Sequence, residues 1–192
     1  MIKLYHAPQT RSVRVLWRAM LAVVGRALDI GELRAQLEGL DVDAANHNSS
    51  SQIVVSGSAA DMDEARARLG GKGRRLIVLN VSAPFHSRLM REVEAAFAEE
   101  LAGATIEAGE APHVASNYTG GFHSADAAAV RDALVRQISG TVRWVDNMRA
   151  IAERASRIVE IGPGKPLSGF FKDVGLTVQA ITDLAGAREQ ST

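Results

Sequence analysis

The strongest constraint in this sequence is the order of apolar runs between residues 20 and 81. Met20–Val24, Val42–Ala45, Ile53–Val55 and Leu76–Val81 are short, apolar and rich in branched side chains, and each reads as a strand. Between the first two, Asp29 precedes Ile30, Leu33, Leu37 and Leu40, a helical period that closes near Gly39. Between the last two, Ser58 or Asp61 starts a helix through Ala65 and Leu69, and Gly70-Gly71 ends it. The intervening His47–Ser51 is polar and reads as a turn, while Asn46–Gln52 as a whole is a polar loop whose amides and hydroxyls either line a cleft or simply meet solvent.

The resulting order, β-α-β-β-α-β, is that of a ferredoxin-like split βαβ unit. Many functions use this unit, so it does not by itself name one. The second half alternates differently. Ser87–Leu101 is an amphipathic helix with Leu89, Val93, Phe97 and Leu101 in register. Val114–Ser116 is a short strand, and Ala125–Ile138 and Val142–Ala155 are helices. Arg157–Ile161 is a strand closed by Gly162-Pro163-Gly164, Pro166–Val174 is a short helix, and Thr177–Ile181 is a last strand. Alternating helix and strand predict an α/β layer beside the smaller α+β unit. The expected organisation is a short N-terminal segment (1–18), a small subdomain (19–82), a larger one (83–184) and a frayed tail (185–192).

Composition removes several function classes. Lys plus Arg and Asp plus Glu both number 22 in 192 residues, so the formal net charge is zero. That argues against non-specific nucleic-acid binding and against an anionic membrane surface, both of which need excess positive charge. The chain has no cysteine, which excludes disulfides, a thiolate nucleophile and Cys-ligated zinc. His6, His47, His86, His113 and His123 include no H-x-x-x-H pair, so no metal site is expected. No apolar run approaches the roughly 20 residues of a membrane span. The N-terminus lacks a signal-peptide layout, and the expected compartment is the cytoplasm.

Chemistry concentrates at Val81-Ser82-Ala83-Pro84-Phe85-His86-Ser87, where a strand ends and a helix begins. A histidine at the carboxyl end of a strand sits where α/β folds place their sites, and imidazole suits a general base. Spacing alone leaves His86 either in that role or as a local capping group. Gly162-Pro163-Gly164-Lys165 resembles a phosphate loop only superficially, because the G-x-x-x-x-G-K-[ST] spacing is absent. No serine has glycine two residues before and two after, so there is no G-x-S-x-G nucleophile elbow.

Several stretches, in order, resemble malonyl-CoA:acyl-carrier-protein transacylases. They are Ala44–Ser49 with Gln52–Gly57, Val81–His86 with Leu89-Met90, Ser116-Asn117, Leu134–Gln137, Val142–Trp144 and Glu160–Lys165. The resemblance runs from about Ala19 to Phe171. It implies the C-terminal portion of an α/β-hydrolase-like acyltransferase subdomain carrying a ferredoxin-like insert. It also implies ping-pong acyl transfer in fatty acid or polyketide biosynthesis, from malonyl-CoA to the phosphopantetheine thiol of acyl carrier protein, with no bound cofactor. On that reading His86 is the general base, the backbone carbonyl of Gln137 orients its ring, and Asn48 lies near the acyl pocket.

Departures from the family pattern set the expected activity. The nucleophile serine and the carboxylate-binding arginine lie upstream of the insert in the family, and nothing here matches them. The family's Pro-Gly is Ser50-Ser51 in this chain, and its proline before Val-Arg-Trp is Thr141. A truncated transferase that is inactive alone is therefore expected, or else a pseudoenzyme or partial subunit acting by association. Uncovered sheet edges would favour self-association. Residues 1–17, with Ile2–Pro8 and Thr10–Arg14, resemble the start of a bacterial glutathione transferase, which implies a possible thiol contact from Tyr5 or Ser12 and a remote alternative of glutathione binding.

Overall fold

A strand that is apolar at every position needs cover on both faces, and Met20–Val24 has it. The computed structural model describes residues 20–183. In it β1 (Met20–Val24), β2 (Val42–Ser49), β3 (Gln52–Gly57) and β4 (Arg75–Val78) form one sheet in the order β2-β3-β1-β4. Every pairing in this sheet is antiparallel. Leu21 and Val23 point to one face and meet Ile53 and Val55 from β3. Helices α1 (Ile30–Gln36) and α2 (Ala59–Leu69) close that face with Leu33, Met62, Ala65 and Leu69. Met20 and Ala22 point the other way and pack with Ala45, Val54, Leu79 and Val81.

Capping follows the sequence closely. The Asp29 carboxylate accepts the Glu32 N–H at 2.7 Å, starting α1. Of the two candidates for α2, Ser58 is the cap: its hydroxyl accepts the Asp61 N–H at 3.1 Å. Gly70 closes α2. Two strand boundaries differ from expectation. β2 continues through Asn46, His47 and Asn48 to Ser49, because two irregularities in its pairing with β3 let this polar stretch stay on the ladder. The turn shrinks to Ser50-Ser51. β4 stops at Val78, since Leu79 and Val81 are drawn onto the opposite face of the sheet.

The second half is a looser set of layers. Helix α3 spans Arg91–Ala102 after a 3-10 turn at Arg88–Met90, and α4 spans Ala127–Arg136. The helix expected over Ser87–Leu101 is thus split, with Leu89 in the 3-10 turn; no residue of α3 is buried, and Leu89 and Val93 are exposed. Short strands β5 (Ala115–Ser116) and β6 (Gly121–Phe122) pair antiparallel, the second of them unforeseen. Helix α5 (Trp144–Arg154) packs Val145 and Met148 against Phe171 of α6 (Ser168–Asp173). The parallel pair β7 (Ile158–Ile161) and β8 (Val178–Ile181) completes the described chain.

The sequence of residues 1–20 also reads as a short strand at Ile2–His6 and a helix carrying Val13, Leu16, Trp17 and Met20 on one face. These lie outside the described residues, as does the tail from Ala185, except Met20, which belongs to β1 instead. Among the described residues no helix is long and apolar enough to cross a membrane.

Leu33 is fully buried beneath the sheet. Leu33→Ala is expected to cost about 2–5 kcal/mol, read as a lower urea midpoint at unchanged slope. A Cβ on Gly57 would stand 2.1 Å from the Asp41 carbonyl oxygen, which is backbone, so Gly57→Ala is expected to lower the melting temperature as well.

Candidate active site

The turn after β4 is shaped by its own side chains. Pro84 is buried and removes one donor from the chain. The buried Ser87 hydroxyl donates to the Pro84 carbonyl at 2.6 Å. Between them His86 adopts φ 58°, a left-handed conformation that costs a non-glycine residue about 1–2 kcal/mol. Something must hold it there, and the C-terminal end of α4 does. The His86 N–H donates to the Ile138 carbonyl at 3.1 Å, and the ring Nδ1 lies 2.9 Å from the Gln137 carbonyl oxygen.

This contact has a chemical consequence. A carbonyl oxygen only accepts, so Nδ1 must carry the hydrogen, and the neutral ring presents the lone pair at Nε2. No hydrogen bond among the described residues closes on Nε2. The Gln137 carbonyl is the C-cap of α4, one of the carbonyls a helix end leaves without a partner inside the helix. His86 is thus built to accept a proton at one nitrogen while the other is held.

A second set of contacts fixes the turn to β2. The Arg88 backbone N–H donates to Asp43 Oδ2 at 2.8 Å, and its guanidinium reaches Asp43 Oδ1 at 2.6 Å. Burial raises the Asp43 carboxyl, but the Arg88 hydrogen bonds and charge outweigh it and leave the group below its ordinary value. Beyond His86, Thr141 donates from its hydroxyl to the Ala44 carbonyl at 2.8 Å. The Val142 N–H then donates to Ala45, and the His47 N–H to Val142, both at 2.8 Å. This parallel bridge ties the segment that holds His86 to β2 of the four-stranded sheet. Gly140 lets Tyr118 press against it, since a Cβ there would meet the ring at 2.6 Å.

A cleft of about 830 Å³ opens at this junction, lined by His86, Arg34, Arg88, Arg136, Tyr118 and Thr141 among others. Asn48 is not among its lining residues; its side-chain amide donates to Gln52 at 2.8 Å at the far end of the β2–β3 hairpin. A neighbouring cleft of about 740 Å³ contains His47. Burial pushes the His47 ring below the ordinary histidine value; Asp146 opposes that shift, and Arg149 and Arg34 add to it.

The Gly162–Gly164 corner behaves as a turn. The Glu160 carboxylate accepts the N–H groups of Leu167 and Ser168 at 2.8 Å each, so the donors a phosphate would need are already taken. No group of three or more His, Asp or Glu side chains is placed to hold a metal among the described residues.

Of the sequence-stated site residues, His86 and Gln137 come together and Asn48 stands apart. The Ile138 carbonyl, the Arg88–Asp43 pair and Thr141 carried no signal of their own. Residues 45 to 97 apart in sequence make these contacts, and only folding sets them side by side.

No protein-family model matches the chain. It is 37% identical over 152 residues to the malonyl CoA-acyl carrier protein transacylase of Salmonella typhimurium, covering 77% of this chain and 48% of that protein. It is 36% identical over 177 residues to the polyketide biosynthesis protein ThaF of Burkholderia thailandensis, covering 90% of this chain and 15% of that one. Among solved structures, the acyl-carrier-protein S-malonyltransferase of Burkholderia pseudomallei is 36% identical with a TM-score of 0.78, over 90% of this chain and 57% of that one. The chain is homologous to these transacylases over the residues compared, and shares their mixed α/β fold. It spans about half the length of the Salmonella protein.

Nitrogen-15 NMR of His86 in the neutral ring is expected to report a protonated Nδ1; a protonated Nε2 would break the argument from Gln137. His47 supplies a stability test. Its folded form binds a proton less readily than the unfolded chain, so the unfolded state gains protons first as pH falls. Stability is therefore expected to rise with pH below and through the ordinary histidine range near 6.5, with a shallower slope in His47→Gln.

Proposed function

We propose that this chain carries the base side of an S-malonyltransferase site acting on malonyl-CoA and acyl carrier protein. The carrying observation is the 2.9 Å contact between His86 Nδ1 and the Gln137 carbonyl, which leaves Nε2 free as the proton acceptor. Homology to transacylases over most of the chain supports the same reading. His86 is the general base and Gln137 is the positioning residue. Asn48 is assigned to the acyl pocket on the resemblance alone.

The chemistry is a two-step transfer. A serine hydroxyl attacks the malonyl thioester carbonyl while Nε2 takes its proton. The C–S bond breaks, and the departing coenzyme A sulfur recovers that proton from the imidazolium. The carrier thiol then gives its proton to Nε2 and attacks the acyl-serine ester; the acyl–oxygen bond breaks, and the departing serine oxygen takes that proton back from the imidazolium.

Residues 19–82 are read as the ferredoxin-like insert and 83–184 as the C-terminal part of the larger subdomain. The sheet order β2-β3-β1-β4 supports the first assignment. The expected compartment is the cytoplasm, where both substrates of such a reaction are made. A second reading, a partial subunit or inactive relative, is favoured by one observation: this sequence contains no G-x-S-x-G serine. The glutathione-transferase resemblance of residues 1–17 remains the remote alternative, and no retention on immobilised glutathione is expected.

Incubation with malonyl-CoA and holo acyl carrier protein, read by intact mass, decides the activity. The folded chain alone is expected to transfer no malonyl group and to hold none covalently. Malonyl transfer that disappears in His86→Ala would mean that an unforeseen nucleophile works in this chain.

A further inference from the structure

A helical turn leaves its first N–H groups without internal partners, and a side chain just before it usually accepts one of them. At the 3-10 turn Arg88–Met90 that local cap is missing. Ser87 stands in the capping position, but its hydroxyl donates back to the Pro84 carbonyl. The acceptor comes instead from β2: Asp43, 45 residues away in sequence, takes the Arg88 N–H at 2.8 Å. The Arg88 guanidinium then holds both oxygens of the same carboxylate, at 2.6 to 3.1 Å. The Arg88 and Asp43 side chains are 48% and 25% exposed, and an ion pair so open to water adds little to stability. Its consequence lies in what it positions.

The contact closes a ring. From Asp43 the ring runs through Arg88 and Ser87 to His86, and from His86 Nδ1 to the Gln137 carbonyl. It continues along the chain to Thr141, whose hydroxyl donates to the Ala44 carbonyl beside Asp43. The helix-end side of the ring has further bonds to β2, from Val142 to Ala45 and from His47 to Val142. The turn side reaches β2 through Asp43 alone among the described residues. His86, at φ 58°, strains against that link, since a released histidine relaxes toward negative φ. We propose that Asp43 is a positioning residue for His86: by accepting the Arg88 N–H it keeps the strained turn in register with the Gln137 carbonyl and holds the ring hydrogen on Nδ1. The assignment rests on the reading of His86 as general base.

Nitrogen-15 NMR of the His86 ring in the full chain tests it, together with hydrogen exchange of backbone amides. Asp43→Ala is read beside Asp43→Val, which keeps strand propensity. In both, the ring population protonated at Nε2 is expected to rise about fivefold or more, the weight of one hydrogen bond. Exchange of the His86 amide is expected to quicken at least about tenfold, while that of Val142, on the other tie, stays as in wild type. Asp43→Asn and Arg88→Ala keep the acceptor and the donor of the main-chain bond and are expected to keep the wild-type ring. Leu33→Ala destabilises the same sheet from elsewhere, and is expected to leave the tautomer of the folded protein unchanged. A ring that stays protonated at Nδ1 in both Asp43→Ala and Asp43→Val overturns the proposal and leaves the general-base reading standing. An equal change of tautomer in Leu33→Ala overturns it too, since loss of stability would then suffice. A wild-type ring already protonated at Nε2 removes the general-base reading, and the proposal falls with it.

Discussion

The carbonyl groups at the end of α4 hold the candidate site together. A helix leaves its last carbonyls without internal partners, and here two consecutive ones accept from the same residue. The main-chain bond from His86 to Ile138 fixes a backbone conformation that a histidine otherwise avoids. The side-chain contact to Gln137 fixes the ring and its tautomer. Neither would serve alone: a free ring at a strained turn would rotate, and an oriented ring on a loose turn would drift. The helix end supplies the partner of both contacts.

That arrangement depends on two ties to the four-stranded sheet. The Arg88–Asp43 pair anchors the residue beyond His86, and the Val142 bridge anchors the segment beyond Gln137. Both land on β2, so this strand sets the distance between the turn and the helix end. Two neighbouring polar positions add to these ties. Thr141 donates its hydroxyl to the Ala44 carbonyl on β2. In the turn just past β2, the carbonyls of Ser50 and Ser51 accept from Leu28 and Gly25, and the Ser51 hydroxyl donates to Asp173 on α6.

The two ends of the described chain differ in how fully they satisfy their own surfaces. The four-stranded sheet covers both faces of its central strands and closes a core of its own. Among the described residues the β7–β8 pair covers one face only. α3 makes a similar point, since Leu89 and Val93 have the spacing of a buried stripe and yet face outward. Apolar periodicity reports that a face is suited to burial; it does not report what buries it.

The sequence alone determined the order of elements from Met20 to Val78 and the caps at Asp29 and Gly70, and its family resemblance singled out His86 and Gln137 as a candidate pair. These are local signals, or motifs in fixed order, and they need no knowledge of which elements meet. The tertiary structure decided the rest. The polar stretch through Asn48 remained a strand because β3 lay beside it to accept a bulged ladder. Ser58 rather than Asp61 became the cap of α2, since the Asp61 carboxylate accepts the Asp41 N–H instead. Asn48 paired with Gln52, away from the cleft that holds His86. The choice of Ile138, Arg88 and Thr141 as supports came from contacts between residues far apart in the chain, whose hydrogen bonds exist only once the segments pack.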